Sequence, residues 1–214
     1  MALDYQLLLS LAVIHTLALA SPGPDFVLVV KLASQERRQT ALACALGLAV
    51  AITMHTILSL TGVSLVIKSS PNLYLAVQLM GASYLAWMGY GAIKSGIAHW
   101  RQQQALAVDV SPSQGLSSLQ GFIQGMSTNL LNPKALVFFI TLFSSLITPQ
   151  VSITTKVAIT ALLFSLSLIW FSLIALVLSK PSVQQKLQRA TPAINLLTGA
   201  LFISVTLVII SRLI

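Results

Sequence analysis

The sequence Ser21-Pro22-Gly23-Pro24-Asp25 interrupts an apolar stretch that runs from about residue 7 to residue 32, and it puts a carboxylate inside that stretch. Each proline removes a backbone N–H and clashes with the preceding turn, and the glycine adds conformational freedom. A helix must therefore end before this motif and another must begin after it. In hydrocarbon an unsatisfied backbone group costs several kcal/mol, so a broken helix persists only where it lines a cavity or packs on protein. The break predicts a functional site.

The composition indicates a membrane protein. Of the 214 residues, 56% are hydrophobic and only 7% are charged, whereas a soluble domain carries roughly 25% charged residues. The single cysteine, Cys44, excludes an intramolecular disulfide framework. The net charge of +8 comes from basic residues scattered in short loops that form no continuous stripe, so we expect no nucleic-acid partner.

The apolar runs predict an all-α integral membrane protein with six transmembrane helices. The expected spans lie at about 7–32, 41–67, 73–93, 119–147, 153–178 and 192–210, and the fourth is broken by Asn129-Leu-Leu-Asn132-Pro133-Lys134. The run at 41–67 is long enough to cross about 30 Å of hydrocarbon at 1.5 Å per residue with some tilt. Residues 179–189 are expected to form a polar loop, and Pro192 to start the sixth span.

The chain is expected to be one transporter domain built from two repeats, at about 1–95 and 118–214, joined by a cytoplasmic linker at about 96–117. Each half opens with a proline-broken span and closes with a related helix, Leu79-Met-Gly81-Ala against Leu197-Thr-Gly199-Ala. Because each half has three spans, the second must enter from the opposite side, which predicts the inverted repeat typical of secondary transporters. The alternative is two unrelated helices that each contain proline.

Loop charges predict the orientation. The loops after spans one, three and five carry Lys31, Arg37, Arg38, Lys94, Arg101, Lys180, Lys186 and Arg189, whereas the other side carries Lys68, Lys156 and Arg212. The more basic loops are expected to be cytoplasmic. Both termini then lie outside if the first span crosses fully, or the N-terminus lies inside if 21–25 folds back as a re-entrant hairpin. The sequence leaves both open.

Asp25 and Lys134 are the two charged groups at the breaks of the broken spans, where a charge costs at least about 2.5–3.5 kcal/mol. They are expected to lie close enough to pair, and the alternative role is a structural ion pair that fixes two helices together. A helix that restarts after Pro24 or Pro133 presents free N–H groups to a carboxylate, while Asp25 can accept an ammonium group. This chemistry favours an amino acid as substrate.

The remaining candidates are polar or aromatic groups near the breaks or within spans. Asn129 and Asn132 either bind substrate or cap the interrupted helix. His15 and His55 either carry protons or act as hydrogen-bonded packing residues, and Tyr84 and Trp87 either line a cavity or pack. The substrate-binding or proton-coupling candidates are Ser21, Pro22, Gly23, Pro24, Asp25, Asn129, Asn132, Pro133 and Lys134, and the cavity-lining candidates are His15, His55, Tyr84 and Trp87.

Three motifs carry a family resemblance over nearly the whole chain: Ser21-Pro22-Gly23-Pro24-Asp25-Phe26, Asn129-Leu-Leu-Asn132-Pro133-Lys134-Ala135, and Tyr84-Leu-Ala-Trp87-Met-Gly89-Tyr90. In order and spacing they resemble the LysE/RhtB family of amino-acid exporters, particularly its threonine and homoserine efflux members. The resemblance implies a multi-pass exporter of the bacterial inner membrane, driven by proton antiport. The motifs do not fix which amino acid is carried.

Other functions are weighed against this interpretation. The chain has no metal-protease or serine-hydrolase motif, so we expect no enzyme and no cofactor. Three dispersed histidines, one cysteine and four acidic residues form no ligand cluster, which disfavours a metal site and a cation exporter. A channel for amino acids or other small solutes stays open, because broken helices also build selectivity filters. The expected partners are the amino acid, protons and the lipid bilayer, and a homodimer is left open.

Overall fold

The computed structural model describes residues 3–21, 23–102, 115–148, 150–177, 181–211 and 213. These residues form eight α-helices, and no strand occurs among them. The helices are α1 (Tyr5–Ala20), α2 (Pro24–Gln35), α3 (Arg38–Ser69), α4 (Pro71–Gln102), α5 (Ser118–Leu130), α6 (Pro133–Leu146), α7 (Ile153–Val177) and α8 (Pro181–Ser211).

Both predicted breaks are present, and they bend the chain by similar angles. The axes of α1 and α2 meet at 58°, and those of α5 and α6 meet at 56°. In each pair the second helix has proline at its first position, where the missing N–H costs no intrahelical bond. The sequence therefore predicted correctly where each apolar run stops being one helix.

Length and apolar character mark three single helices as candidate membrane spans: Arg38–Gly62, Ile153–Val177 and Ala190–Ser211. The described part of the chain has up to five candidate spans if each bent pair counts as one. This is one fewer than predicted. The predicted third span, at 73–93, lies in α4, where glutamine, glycine and tyrosine residues dilute the apolar character.

Two predicted boundaries are wrong. Residues 181–189 were expected in a polar loop but form the start of α8, and Pro192 lies inside this helix instead of starting it. Pro181 occupies the first helical position, and the glutamine, lysine, leucine and arginine residues that follow are strong helix formers. Likewise α4 continues to Gln102, beyond the predicted end of the third span.

The packing brings the ends of the broken helices together. α3 contacts α5, α6 and α7, while α4 packs along α8 and also contacts α6. Glycines make the closest approaches possible: a Cβ atom on Gly125 would collide with the carbonyl oxygen of Cys44, and a Cβ atom on Gly199 would lie 2.7 Å from that of Gly89. These contacts bring α3 close to α5 and α4 close to α8.

Candidate functional site

The two breaks face one cavity. It is lined by seven of the residues that the sequence singled out: His15, Ser21, Gly23, Asp25, Asn129, Asn132 and Lys134. They come from the end of α1, the start of α2, the end of α5 and the start of α6. The non-helical backbone at each break therefore lines a cavity. This agrees with the high free-energy cost of exposing unpaired peptide groups to hydrocarbon.

The two restarting helices differ in how their first N–H groups are satisfied. In α6 the side-chain oxygen of Asn132 accepts a hydrogen bond of 3.0 Å from the backbone N–H of Lys134. In α2 the corresponding residue is Gly23, which has no side chain, and no side-chain cap is found among the described residues. The first turn of α2 thus offers N–H groups and the positive end of a helix dipole to an anion.

Each charged side chain of the site bonds across to the opposite break. Asn129 Nδ2 at the end of α5 donates to Asp25 Oδ2 in α2 at 2.8 Å. Lys134 Nζ in α6 donates to Ser21 Oγ at the end of α1 at 3.1 Å. The opposite charges of Asp25 and Lys134 also attract each other. These contacts tie the two broken spans together through polar groups.

Three buried polar atoms at this cavity have no hydrogen-bond partner within the described part of the chain. They are Asp25 Oδ1, Asn129 Oδ1 and His15 Nδ1. Leaving a buried acceptor unpaired costs the desolvation of that atom. Acceptors left free beside a cavity indicate that a ligand or water supplies the missing donors.

The rest of the cavity wall is apolar and was not singled out from the sequence. Besides Ile52, it consists mainly of aromatic side chains, Phe26, Phe138, Phe139, Phe171 and Phe202. These phenylalanines lie on α2, α6, α7 and α8, so only the tertiary packing brings them together. The one local signal was the pair Phe138-Phe139, which follows Lys134 by about one helical turn.

The two histidines both contact Phe139. His15 has its ring 5.9 Å from that of Phe139 and lines the first cavity. His55 stacks on Phe139 at 5.7 Å and lines a second cavity, together with Ser59, Tyr74 and Ser144. His55 Nε2 also lies 3.2 Å from the backbone oxygen of Asn129. Phe139 thus lines the first cavity and also contacts a histidine of the second.

Other candidates take peripheral positions. The rings of Tyr84 and Trp87 contact each other at 5.5 Å, and Trp87 is 67% exposed on the outside of the bundle. Neither side chain lines the two cavities described above. Pro24 and Pro133 are exposed and begin their helices, and Pro22 lies outside the described residues.

Comparison with known proteins identifies the family. Residues 16–212 match the family described as LysE type translocator. The chain belongs to this family. This match over almost the full length confirms the family resemblance that the three motifs indicated. The chain is therefore a multi-pass protein of the bacterial inner membrane.

Several relatives align over nearly the full length of both chains. The threonine efflux protein of Escherichia coli (strain K12) is 31% identical over 92% of this chain and 94% of its own. The threonine efflux protein of Salmonella typhi is 33% identical over 92% of this chain and 94% of its own. An uncharacterized membrane protein of Haemophilus influenzae is 23% identical over 92% of both chains. No solved structure matches the chain.

Proposed function

We propose that this protein exports a small amino acid of the threonine or homoserine type by secondary active transport, in exchange for protons. One observation carries the proposal: a carboxylate and an ammonium group flank a single cavity at the starts of two broken helices, and free acceptor atoms remain beside them. An α-amino acid is the small solute whose two charged groups match this arrangement. The family and the names of the relatives support the same substrate class.

The substrate ammonium group is assigned to Asp25 and Asn129. Asp25 Oδ1 and Asn129 Oδ1 are both buried without partners, while their other atoms bond to each other. Two oxygen acceptors beside a carboxylate suit a group that carries three donors. Binding would satisfy both free acceptors without breaking the contact that already joins the two side chains.

The substrate carboxylate is assigned to Lys134 and the uncapped start of α2. The Lys134 amine lies 3.5 Å from the place where a Cβ atom of Gly23 would be, so it stands directly over the N-terminus of that helix. Ser21 is its partner in the structure. We infer that the substrate carboxylate replaces Ser21 as the hydrogen-bond acceptor of Lys134. The carboxylate also accepts hydrogen bonds from the first N–H groups of α2.

Exchange of partners keeps each charge compensated during transport. A buried charge that lost its partner would raise the free energy of the protein by several kcal/mol. The substrate must therefore bind as the Lys134–Ser21 contact is released. In this scheme Asp25 is protonated in one access state and binds the substrate ammonium in the other. That alternation would couple outward movement of the amino acid to inward movement of a proton.

An inverted pair of three-helix repeats would supply the alternating access, with α4 counted as the remaining span. The near-equal bends support this proposal. So does the packing: α3 contacts both α5 and α6, and α7, its counterpart in the second half, contacts both α1 and α2. The counterpart pairs α3 with α7 and α4 with α8 also pack on each other. A repeat related by a two-fold axis in the membrane plane has this pattern.

Transport into inverted membrane vesicles tests the function. With an acid interior, labelled threonine should accumulate above its outside concentration, and a protonophore should abolish the accumulation. Vesicles from cells that lack the protein give the background. Equilibration of threonine that never exceeds the outside concentration, with or without the gradient, would identify a channel instead.

A further inference from the structure

His15 is a buried polar group that the proposed binding of the charged substrate groups does not use. It lies on α1, is 2% exposed and lines the cavity between the two breaks. Its Nε2 atom is 2.8 Å from Ser167 Oγ on α7, whereas Nδ1 has no partner among the described residues. One ring nitrogen is thus held by the scaffold, and the other is buried and unpaired in a side chain that lines the cavity.

The partners of Ser167 determine which nitrogen carries the proton. The Ser167 hydroxyl donates to the backbone oxygen of Leu163, one turn earlier in α7, at 2.7 Å. A hydroxyl has a single hydrogen, so with that hydrogen committed Ser167 Oγ acts as an acceptor toward His15. The proton of the neutral imidazole therefore resides on Nε2, and Nδ1 presents a bare lone pair.

We propose that His15 Nδ1 accepts a hydrogen bond from a hydroxyl group on the substrate side chain and so selects hydroxylated small amino acids. The inference rests on the proposed function, because it concerns the same cavity. Asp25, Asn129 and Lys134 bind groups that every α-amino acid has, so they cannot distinguish one side chain from another. The selection must come from the rest of the wall.

Apart from His15, Ser21 and the helix-capping Asn132, that wall is apolar and poorly suited to distinguish a hydroxyl from a methyl group. The phenylalanines and Ile52 have no hydrogen-bonding atoms, and an apolar pocket discriminates weakly between isosteric side chains. A buried acceptor does discriminate, because an analogue without the hydroxyl leaves it unpaired. His15 supplies such an acceptor, and its fixed tautomer makes it specific for a donor.

Threonine and valine are the matched probes, since they differ by a hydroxyl in place of a methyl group. Purified protein in proteoliposomes is scored for binding of each amino acid and for its counterflow. His15→Leu removes the acceptor and leaves no unpaired donor behind, because the Ser167 hydrogen remains bonded to Leu163. We expect the preference for threonine over valine to fall about tenfold, with valine affected little.

A second variant restores the acceptor. In His15→Asn the amide oxygen can occupy the place of Nδ1, so the preference should stay within about twofold of the wild type. The control is Thr198→Val, which removes another buried hydroxyl that contacts α1, at the Leu17 carbonyl, but does not line the cavity. It should leave the preference unchanged.

The outcomes separate this inference from the proposed function. An unchanged preference in folded His15→Leu, or an equal loss of both amino acids, overturns the role of His15. Wild-type protein that binds amino acids but treats threonine and valine alike also overturns it and leaves the exporter proposal intact. Wild-type protein that binds no amino acid refutes the exporter itself. If His15→Leu fails to fold, Ser167→Ala is the substitute, because it removes the acceptor that keeps the His15 proton on Nε2. An unchanged preference for threonine over valine in Ser167→Ala contradicts the inference.

Discussion

Asp25 and Lys134 occupy the same position in two different spans: each is the second residue of a helix that restarts at a proline after a break. Each also bonds to the other break, through Asn129 and Ser21 respectively. Equivalent places in the two broken spans thus carry opposite charges. Under the proposed function, a pair of this kind would bind a zwitterion with one broken span at each end.

Replacing Asp25 with asparagine should separate coupling from binding. The amide keeps the size of the side chain and can still contact Asn129, but it has no titratable proton. We expect Asp25→Asn to abolish gradient-driven threonine accumulation in inverted vesicles while counterflow between preloaded and external threonine persists. Gradient-driven accumulation at the wild-type level would rule out Asp25 as the proton carrier.

Gly125 tests the packing that sets the cavity. A Cβ atom at this position would collide with the backbone of Cys44, where neither α3 nor α5 has a flexible side chain that can move aside. Gly125→Ala should therefore lower the free energy of unfolding by about 1–3 kcal/mol. Thermal unfolding in detergent measures the effect.

Gly91→Ala is the matched control, since a Cβ atom at Gly91 meets nothing within 4 Å. Gly91 is an exposed helical position, and alanine has a higher helix propensity than glycine. The free energy of unfolding of Gly91→Ala should therefore be unchanged or higher by up to about 1 kcal/mol. Equal stability of the Gly125 and Gly91 variants would contradict the close α3–α5 contact.

The breaks could be predicted because they follow from local chemistry. Pro24 and Pro133 remove backbone donors whatever surrounds them, so the helix restarts were visible in the sequence. The approach of the two breaks was predicted from the expected repeat. By contrast, the pairing of His15 with Ser167 depends on how α1 packs on α7, and nothing in the residues around Ser167 marks it within its apolar run.

The partners of the charged groups also depended on tertiary geometry. Opposite charges in equivalent positions suggested that Asp25 and Lys134 hold each other, yet their hydrogen bonds go to Asn129 and Ser21. The choice among several polar groups around one cavity is decided by distances of a few tenths of an ångström, which no sequence pattern encodes. The helical start of α8 differs from the prediction for another reason, because a polar composition is typical of loops and of solvent-exposed helix alike.

The cap of α6 can be tested apart from substrate binding. Asn132 accepts from the backbone N–H of Lys134 and so fixes the start of the helix that carries the lysine. Asn132→Ala should cost about 1 kcal/mol in thermal unfolding, whereas Asn132→Ser, which retains a capping oxygen, should cost less. Equal stability of the two variants would show that the cap contributes nothing measurable, and a loss of threonine binding in both would assign the amide a direct role in the site.

Lys134 has two roles with different signatures, and a double-mutant cycle separates them. As the carboxylate ligand, it makes a charge-assisted hydrogen bond, so Lys134→Met should weaken threonine binding by about 10–100-fold. As a structural partner, it compensates the charge of Asp25, so its loss should lower the unfolding temperature, and Asp25→Asn in the same protein should restore part of that loss. We expect both effects, with a coupling of about 1 kcal/mol in the free energy of unfolding.

The control is Lys31→Met, which removes an exposed lysine from the same helix as Asp25. It should change neither threonine binding nor the unfolding temperature. Threonine binding by Lys134→Met at wild-type affinity, together with coupling in stability, would leave Lys134 as a structural residue and would move the carboxylate site to the start of α2 alone.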